Sequence, residues 1–290
     1  MYERILVPTD GSDTAMVATE WAISFARQFD VTLHVVFVVE HGDLPAVGGL
    51  AERGENAVKQ ADDLATDAGV SIRTKVIESS EPTHRKITDY ARNHDIDAIV
   101  LGTHGRTGLD RLFLGSIAER TLRTATVPVI TIHGNVDVDA RIDHVLVPTD
   151  GSVGALAAAD HAIELALATG ATLHTINVVN IAGAWSDFDL GIVYDALEDA
   201  GQQAVDEVAE RARKAGVQTV ETEVQAGTPS RTIIEYTNGH GIDCVVMGTH
   251  GRAGLDRLLL GSVAERVVKL ADVPVIGVKS QEVIERIHAE

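Results

Sequence analysis

The fold prediction rests on one motif, Gly102-Thr103-His104-Gly105, followed by nine residues and then Gly115-Ser116. It returns as Gly248-Thr249-His250-Gly251, with Gly261-Ser262 at the same spacing. Over this motif, 16 of 19 positions are the same in the two copies. Residues 97–101, just before the first copy, are β-branched and aliphatic, which is typical of a buried strand. A strand, a glycine turn and a helix start are therefore predicted twice.

The glycine turn has the chemistry of a phosphate site. Gly102 and Gly105 have no Cβ, so the backbone can turn sharply and lie close to a ligand. A helical pattern begins at Gly115-Ser116, and the first N–H groups of a helix lack intrahelical partners and carry the positive end of its dipole. The stretch contains neither a Walker loop nor the Gly-x-Gly-x-x-Gly of a dinucleotide fold.

A role without a ligand is the alternative for this stretch. Ser116-x-x-Glu119 and Ser262-x-x-Glu265 fit the pattern of capping boxes, which start helices without any bound group. Because packing alone rarely fixes a polar, glycine-rich loop so closely in two copies, the recurrence favours a phosphate site.

Beyond this motif, the whole chain is an internal duplication. Residues 5–12 recur as 145–152, 140 positions later, whereas the glycine motifs and the segments 127–130 and 273–276 are 146 apart. The second copy is thus longer by six residues, and a period near 140 indicates duplicated domains instead of a solenoid. We expect one domain over 1–134 and a second over 142–280.

Strand and helix patterns alternate in both copies, which predicts an α/β fold of two tandem doubly wound domains, each with a five-stranded parallel sheet and helices on both faces. Ligands of such folds bind at the carboxyl ends of the strands, where Asp10 and Gly102 both lie. Strands are predicted near 4–8, 31–39, 71–77, 97–101, 127–132, 144–148, 172–179, 218–224, 242–247 and 273–278. A loop over 40–50 and a helix over 52–67 follow the second strand, and residues 180–196 are predicted to form a longer flap or contact surface with Trp185, Phe188 and Tyr194.

Composition narrows the function classes. The net charge of −19 excludes nucleic acid and anionic membranes as general partners. Abundant acidic residues with few lysines suggest adaptation to a salty cytoplasm. No apolar run approaches the roughly 20 residues that span a bilayer. With a single cysteine and no signal-peptide pattern, a cytoplasmic location is expected.

No catalytic or metal-ligating set emerges from the sequence. His104 and His250 have no serine or cysteine partner in a nucleophile motif, so a loop-packing role is preferred for both. The 12 histidines show no metal-ligand spacing. Four arginines lie beside the predicted phosphate sites: Arg106, Arg111, Arg252 and Arg257. They either bind the phosphates or are solvent-exposed or paired with aspartate.

Taken together, Pro-Thr-Asp-Gly-Ser after the first strand and Gly-x2-Gly-x9-Gly-Ser after the fourth resemble the universal stress protein family. The resemblance covers nearly the whole chain and indicates a tandem member of the ATP-binding branch. It implies the strand order 3-2-1-4-5, pairing of the two halves as a pseudo-dimer, and a homodimer as a further option.

The resemblance also implies the ligand and its contacts. ATP, or ADP or AMP in its place, is expected in each half, with Mg²⁺ held through the phosphates instead of by a protein cage. In the first copy the implied contacts are Pro8, Thr9, Asp10, Val38, Leu101, Gly102, Gly105, Gly115, Ser116 and Ile117. In the second copy they are Pro148, Thr149, Asp150, Val178, Met247, Gly248, Gly251, Gly261, Ser262 and Val263.

Three functions are compatible with these features. The preferred one is a stress-response or regulatory protein in which nucleotide occupancy alters shape or partner contacts. The second is a slow ATPase or nucleotidyl-transfer enzyme, against which stands the lack of a poised general base or catalytic lysine in the sequence. The third is a scaffold without a ligand, in which the glycines serve only packing.

Overall fold

The computed structural model describes residues 1–40, 48–105, 114–180, 190–250 and 260–288. The chain divides into two compact units. One consists of residues 2–141 and 272–274, and the other of Met1, residues 142–271 and residues 275–290. We call them the first and the second domain.

The first domain alternates strands and helices along the chain. Its elements are β1 (Arg4–Pro8), α1 (Asp13–Phe29), β2 (Thr32–Glu40), α2 (Gly48–Asp67), β3 (Ile72–Ser79), α3 (Thr83–Asn93), β4 (Ala98–Gly102), α4 (Ser116–Thr124) and β5 (Val129–Ile132). The strands lie side by side in the order β3-β2-β1-β4-β5, and every pair is parallel. The predicted α/β class and strand order are therefore confirmed for this domain.

The second domain repeats this arrangement. Its elements are β6 (His144–Pro148), α5 (Val153–Thr169), β7 (Thr172–Val179), α6 (Leu190–Ala215), β8 (Val220–Ala226), α7 (Pro229–Gly239), β9 (Cys244–Gly248), α8 (Ser262–Leu270), β10 (Val275–Val278) and α9 (Gln281–His288). The strand order is β8-β7-β6-β9-β10, again all parallel. The second copy thus confirms the same fold.

Small residues let the first helix of each domain lie close to its sheet. In α1 the inner positions Ala15, Ala18, Ala22 and Ala26 are buried, and the alanines of α5 play the same part. The central strands β1 and β4 are buried on both faces, as expected of a parallel sheet covered by helices. This packing fixes the carboxyl ends of β1 and β4 next to each other.

Three sequence expectations differ from the structure. Helix α2 begins at Gly48 instead of residue 52, because its first turn contains glycines, which are poor helix formers and hid the pattern. The predicted flap over 180–196 is helical from Leu190 onward, so Tyr194 belongs to α6, while Trp185 and Phe188 lie outside the described residues. The helix α9 was not predicted.

Candidate functional site

The turn after β1 is built by its own side chains. Thr9 Oγ1 accepts a hydrogen bond from the N–H of Gly11 (3.2 Å), and Asp10 Oδ1 accepts one from the N–H of Ser12 (3.0 Å). Gly11 has a φ of 73°, a value that favours glycine. The backbone N–H of Thr9 also donates to the Val36 carbonyl (2.9 Å), which ties the turn to β2. Asp10 is therefore held at the carboxyl end of β1.

The turn after β4 lies tightly against its neighbours. A Cβ on Gly102 would lie 3.1 Å from the carbonyl oxygen of Thr14, at the start of α1. The N–H of Thr103 donates to the Ile132 carbonyl (2.9 Å), and the N–H of Gly115 donates to the Thr103 carbonyl (2.8 Å). The two ends of the glycine motif are thereby held together.

Asp10 and Gly105 meet where the two turns converge. A Cβ on Gly105 would lie 2.8 Å from Asp10 Oδ2, closer than real Cβ contacts come. A larger residue at 105 would therefore displace the carboxylate. This contact brings together two residues 95 positions apart, as the topology predicts.

The start of α4 differs from the predicted capping box. The helix begins at Ser116 with Gly115 as its N-cap, and no side chain caps it. Ser116 is the first helical residue, so its hydroxyl is not the cap, and Glu119 bonds to Arg123 one turn later (3.2 Å). The capping-box prediction is wrong here, and wrong again at Gly261 and Ser262 before α8.

A cavity of about 430 Å³ lies at the carboxyl ends of β1, β2 and β4. All ten residues predicted for the first copy line it. Further lining residues were not predicted from the sequence, among them Val36, Phe37, Glu40, Leu50, Thr83, Ile87, Thr103 and His104. The cavity therefore has an apolar wall, the carboxylates of Asp10 and Glu40, and a glycine-rich floor leading to a helix start.

Glu40 closes the rim of this cavity. Its Oε2 accepts hydrogen bonds from the backbone N–H (3.1 Å) and the hydroxyl (2.8 Å) of Thr83, at the start of α3. The contact links β2 to α3 across 43 positions. No short-range sequence signal identifies such a pair, although both residues stand at the end or start of an element.

The histidine of the loop packs against a buried threonine. Thr103 Oγ1 lies 2.9 Å from His104 Nδ1 and 3.1 Å from His133 Nδ1. Since Thr103 is fully buried, its hydroxyl is not accessible as a nucleophile. The arrangement fits a role in holding the loop. Arg106 and Arg111 lie outside the described residues.

The second domain repeats the first turn almost atom for atom. Asp150 Oδ1 accepts from the N–H of Ser152 (3.0 Å), and the N–H of Thr149 donates to the Ile176 carbonyl (2.9 Å). Pro148 ends β6, Met247 and Gly248 end β9, and Val178 lies near the end of β7. Gly261 donates its N–H to the Thr249 carbonyl (2.8 Å), just before Ser262 and Val263 open α8. Gly251, Arg252 and Arg257 lie outside the described residues.

Three positions behind the loops differ between the domains. Thr14 of α1 is replaced by Gly154 in α5, where the carbonyl oxygen of His250 lies against the position that a Cβ would occupy. Phe37 of β2 is replaced by Asn177, whose side-chain N–H donates to the Thr149 carbonyl (2.7 Å). Lys279 stands where the first domain has His133.

Lys279 is a buried amine directly after β10. Burial lowers its pKa from 10.5 to about 7. Burial, and after it the charge of Lys279, also lowers the pKa of His250. The second loop is therefore backed by a group that changes its charge near neutral pH.

Among the described residues, no group of three or more histidine, cysteine or acidic side chains is arranged to hold a metal ion. In the same part of the chain, no helix has the length and apolar character needed to cross a membrane.

Comparisons with known proteins agree with the fold and the repeat. The model of the "Universal stress protein family" matches residues 1–133 and again 141–279. A universal stress protein of Mycobacterium tuberculosis is 31% identical over 296 residues, covering 94% of this chain and 95% of the relative. One of Methanocaldococcus jannaschii is 37% identical over 142 residues, covering 46% of this chain and 82% of the relative.

A solved structure shows the same fold over nearly the full length. The crystal structure of a universal stress protein from Archaeoglobus fulgidus covers 96% of each chain with a TM-score of 0.71, at 22% sequence identity. Likeness at this identity supports the fold alone, but the two family matches and the full-length relative identify the chain. It belongs to the universal stress protein family and carries two copies of the family domain.

Proposed function

We propose that this protein is a stress-response or regulatory protein that binds an adenine nucleotide, ATP first, in the crevice of each domain, and that occupancy changes its shape or its contacts with partners. The observation that carries the proposal is the cavity of the first domain, because one space brings together all ten residues expected there. Its volume of about 430 Å³ falls within the usual range of small-molecule sites.

The backbone supplies the phosphate end of the proposed site. The first helical hydrogen bond of α4 runs from the N–H of Glu119 to the Gly115 carbonyl (2.9 Å). The N–H groups of Ser116, Ile117 and Ala118 precede it and carry the positive end of the helix dipole. Gly115 itself packs closely on the loop, since a Cβ there would lie 3.1 Å from the Thr103 carbonyl oxygen. Phosphate oxygens would accept from these amides, and Mg²⁺ would be held through the phosphates.

The side chains supply the nucleoside end. Val38, Leu101 and Ile117 offer apolar walls, and Ile117 is 42% exposed before any ligand covers it. Asp10 offers a carboxylate that can accept hydrogen bonds from ribose hydroxyls or an adenine amino group. Pro8 and Thr9 would line the adenosine side. In the second domain the same parts are assigned to Pro148, Thr149, Asp150, Val178, Met247, Gly248, Gly251, Gly261, Ser262 and Val263.

Calorimetry of the full chain tests the proposal. We expect heat of binding for ATP with Mg²⁺ and two sites per chain, with ADP, AMP and cyclic AMP as competitors. Gly105→Val should leave one site, because its side chain would push the Asp10 carboxylate aside. Gly239→Val is the matched control, since a Cβ there meets nothing within 4 Å. Heat from no adenine nucleotide, or unchanged stoichiometry in Gly105→Val, would contradict the proposal.

Two further measurements define the activity. Hydrogen exchange with and without ATP should slow around residues 102–105 and 115–119 if occupancy changes the loop. Phosphate and pyrophosphate release distinguish a binding protein from a slow ATPase or nucleotidyl-transfer enzyme. A cytoplasmic location, pairing of the two halves and a homodimer stay predictions.

A further inference from the structure

The outer strands β3 and β8 carry opposite charges at matching positions. Within the described part of the chain, each is the last strand of its domain's sheet and pairs on one side only, β3 with β2 and β8 with β7. Strand β3 contains Arg73-Thr74-Lys75, all exposed, and β8 contains Glu221-Thr222-Glu223, of which the first two are exposed and the third half-buried. The first half of the β3 edge, before Glu78, is therefore basic, and the β8 edge is acidic.

In each outer strand, the backbone N–H and C=O groups of alternate residues point away from the sheet, and the central threonine of each charged segment is one of these residues. The Ser71 carbonyl accepts from the N–H of Leu33, so odd-numbered residues of β3 point their backbone groups at β2, and Thr74 points outward. The Thr219 carbonyl accepts from the N–H of Leu173, so Thr222 points outward from β8 in the same way. Two strands joined at these threonines can exchange a pair of hydrogen bonds.

The charged side chains lie on equivalent faces. Arg73 is paired in register with His34, on the face that carries α3, and its charge helps lower the pKa of His34 after burial. Glu221 is paired with His174 on the face that carries α7, with Glu221 Oε2 3.4 Å from His174 Nδ1. Because the domains are copies of one fold, antiparallel pairing of β3 with β8 brings these two faces to the same side.

The resulting register matches the four charges of these two segments, while Glu78, nearer the end of β3, falls opposite Gln218. With Thr74 opposite Thr222, Arg73 lies opposite Glu223 and Lys75 lies opposite Glu221. On the other face, the half-buried Ile72 and Val76 come opposite the half-buried Val224 and Val220. Directly opposed ions of unlike sign and paired threonines are favourable cross-strand contacts.

Pairing of like edges is disfavoured in the same geometry. Antiparallel β3 against β3 places Arg73 opposite Lys75, and β8 against β8 places Glu221 opposite Glu223. Charged residues commonly protect sheet edges from association, and two edges of the same sign repel each other. Here the signs differ, so like edges repel and unlike edges attract.

We propose that β3 of one copy of this chain pairs antiparallel with β8 of a second copy, through Arg73-Thr74-Lys75 and Glu221-Thr222-Glu223. The contact joins two different surfaces, so a pair of bound copies still has one basic and one acidic edge open for the next copy. The assembly is a reversible head-to-tail chain of molecules. Screening of the charges by salt weakens it.

Charge exchange tests this pairing in sedimentation velocity at low ionic strength. The wild-type mass should rise with protein concentration and fall when salt is added. Arg73→Glu/Lys75→Glu has two acidic edges and Glu221→Lys/Glu223→Lys has two basic edges, so neither should associate alone. An equimolar mixture of the two variants should associate again. We expect an increase in Kd on the order of tenfold or more for each variant alone.

Thr74→Pro removes the outward N–H without changing any charge, and it should also abolish the association, whereas Thr74→Ala should not. Melting temperatures of all variants check that the fold is kept. If one variant has a lowered melting temperature, its association in the equimolar mixture shows that it still folds and pairs. Association of either charge variant alone at the wild-type Kd overturns the proposal. So does a mixture that fails to associate, or a wild-type mass that does not change with concentration.

Discussion

At the scale of single residues, Asp10 has two tasks that a substitution can separate. Its Oδ1 accepts from the Ser12 N–H and holds the turn, while its Oδ2 faces the position of a Cβ on Gly105. The first task needs an acceptor oxygen, which asparagine also provides. The second task, in the proposed nucleotide site, needs the carboxylate.

Asp10→Asn should therefore keep the free energy of unfolding and weaken ATP binding. Asp10→Ala should weaken binding and also lower the free energy of unfolding by about 0.5–1.5 kcal/mol, the usual value of one hydrogen bond. Calorimetry measures the first effect and denaturant unfolding the second. Equal ATP affinity in wild type and Asp10→Asn would show that the carboxylate does not contact the ligand.

Lys279 predicts a pH dependence with a definite sign. Burial lowers its pKa from 10.5 to about 7, so between these values the unfolded chain holds a proton that the folded chain has released. The free energy of unfolding should therefore rise with pH across this window, by about 1.4 kcal/mol per pH unit and about 5 kcal/mol in total. Below pH 7 the amine is charged in both states and its full penalty applies.

Lys279→Met should remove this rise and stabilise the protein at neutral pH. Denaturant unfolding at several pH values between 7 and 10.5 measures the slope. Lys75→Met, at an exposed lysine, is the control and should keep the wild-type slope. The same slope in Lys279→Met and wild type would contradict the assignment.

At the scale of elements, two serines that look alike in the sequence have different roles. Ser12 is the N-cap of α1, and its Oγ accepts from the Ala15 N–H (3.3 Å). Ser116 follows the N-cap of α4 and is exposed. The helix that starts without a side-chain cap is the one that borders the cavity.

Ser12→Ala should lower the free energy of unfolding by about 1 kcal/mol, whereas Ser116→Ala should change it by much less. The increase in melting temperature on adding ATP should be reduced more by Ser116→Ala than by Ser12→Ala, because Ser116 belongs to the proposed phosphate site. Thermal melts with and without ATP compare the two variants. A loss at Ser116→Ala as large as that at Ser12→Ala would restore the capping-box interpretation.

The elements also show what could be predicted from the sequence and what could not. Buried strands such as β1 and β4 are short apolar runs, so their positions were predicted to within about two residues, and topology then placed Asp10 near Gly102. The cap of α4 was missed because serine, glycine and glutamate fit both arrangements. The bond from Glu40 to Thr83 was missed because it depends on how β2 and α3 pack, not on local sequence.

At the scale of the whole molecule, the large negative net charge makes the stability of the fold depend on salt. The chain has 43 acidic and 24 basic residues, so its acidic groups repel one another in the folded state. Salt shortens the range of this repulsion, from a Debye length of about 10 Å at 0.1 M to about 3 Å at 1 M. The proposed edge pairing depends on attraction, so salt should act on it in the opposite direction.

We therefore expect the melting temperature to rise from low to molar KCl while the association through β3 and β8 falls. Differential scanning calorimetry measures the first quantity and sedimentation velocity the second, on the same samples. A melting temperature that does not change with salt would contradict adaptation to a salty cytoplasm. Association that survives molar KCl would contradict an electrostatic edge contact.

The differences behind the two loops have a consequence for the proposed nucleotide sites. The two crevices have nearly the same glycine motif, yet beneath them the first domain has Phe37 and Thr14 where the second has Asn177 and Gly154. If both crevices bind the nucleotide, their affinities would differ, and one protein would respond to two concentration ranges of the same ligand. A mutation behind one loop would then change the affinity of that site and leave the affinity of the other site unchanged.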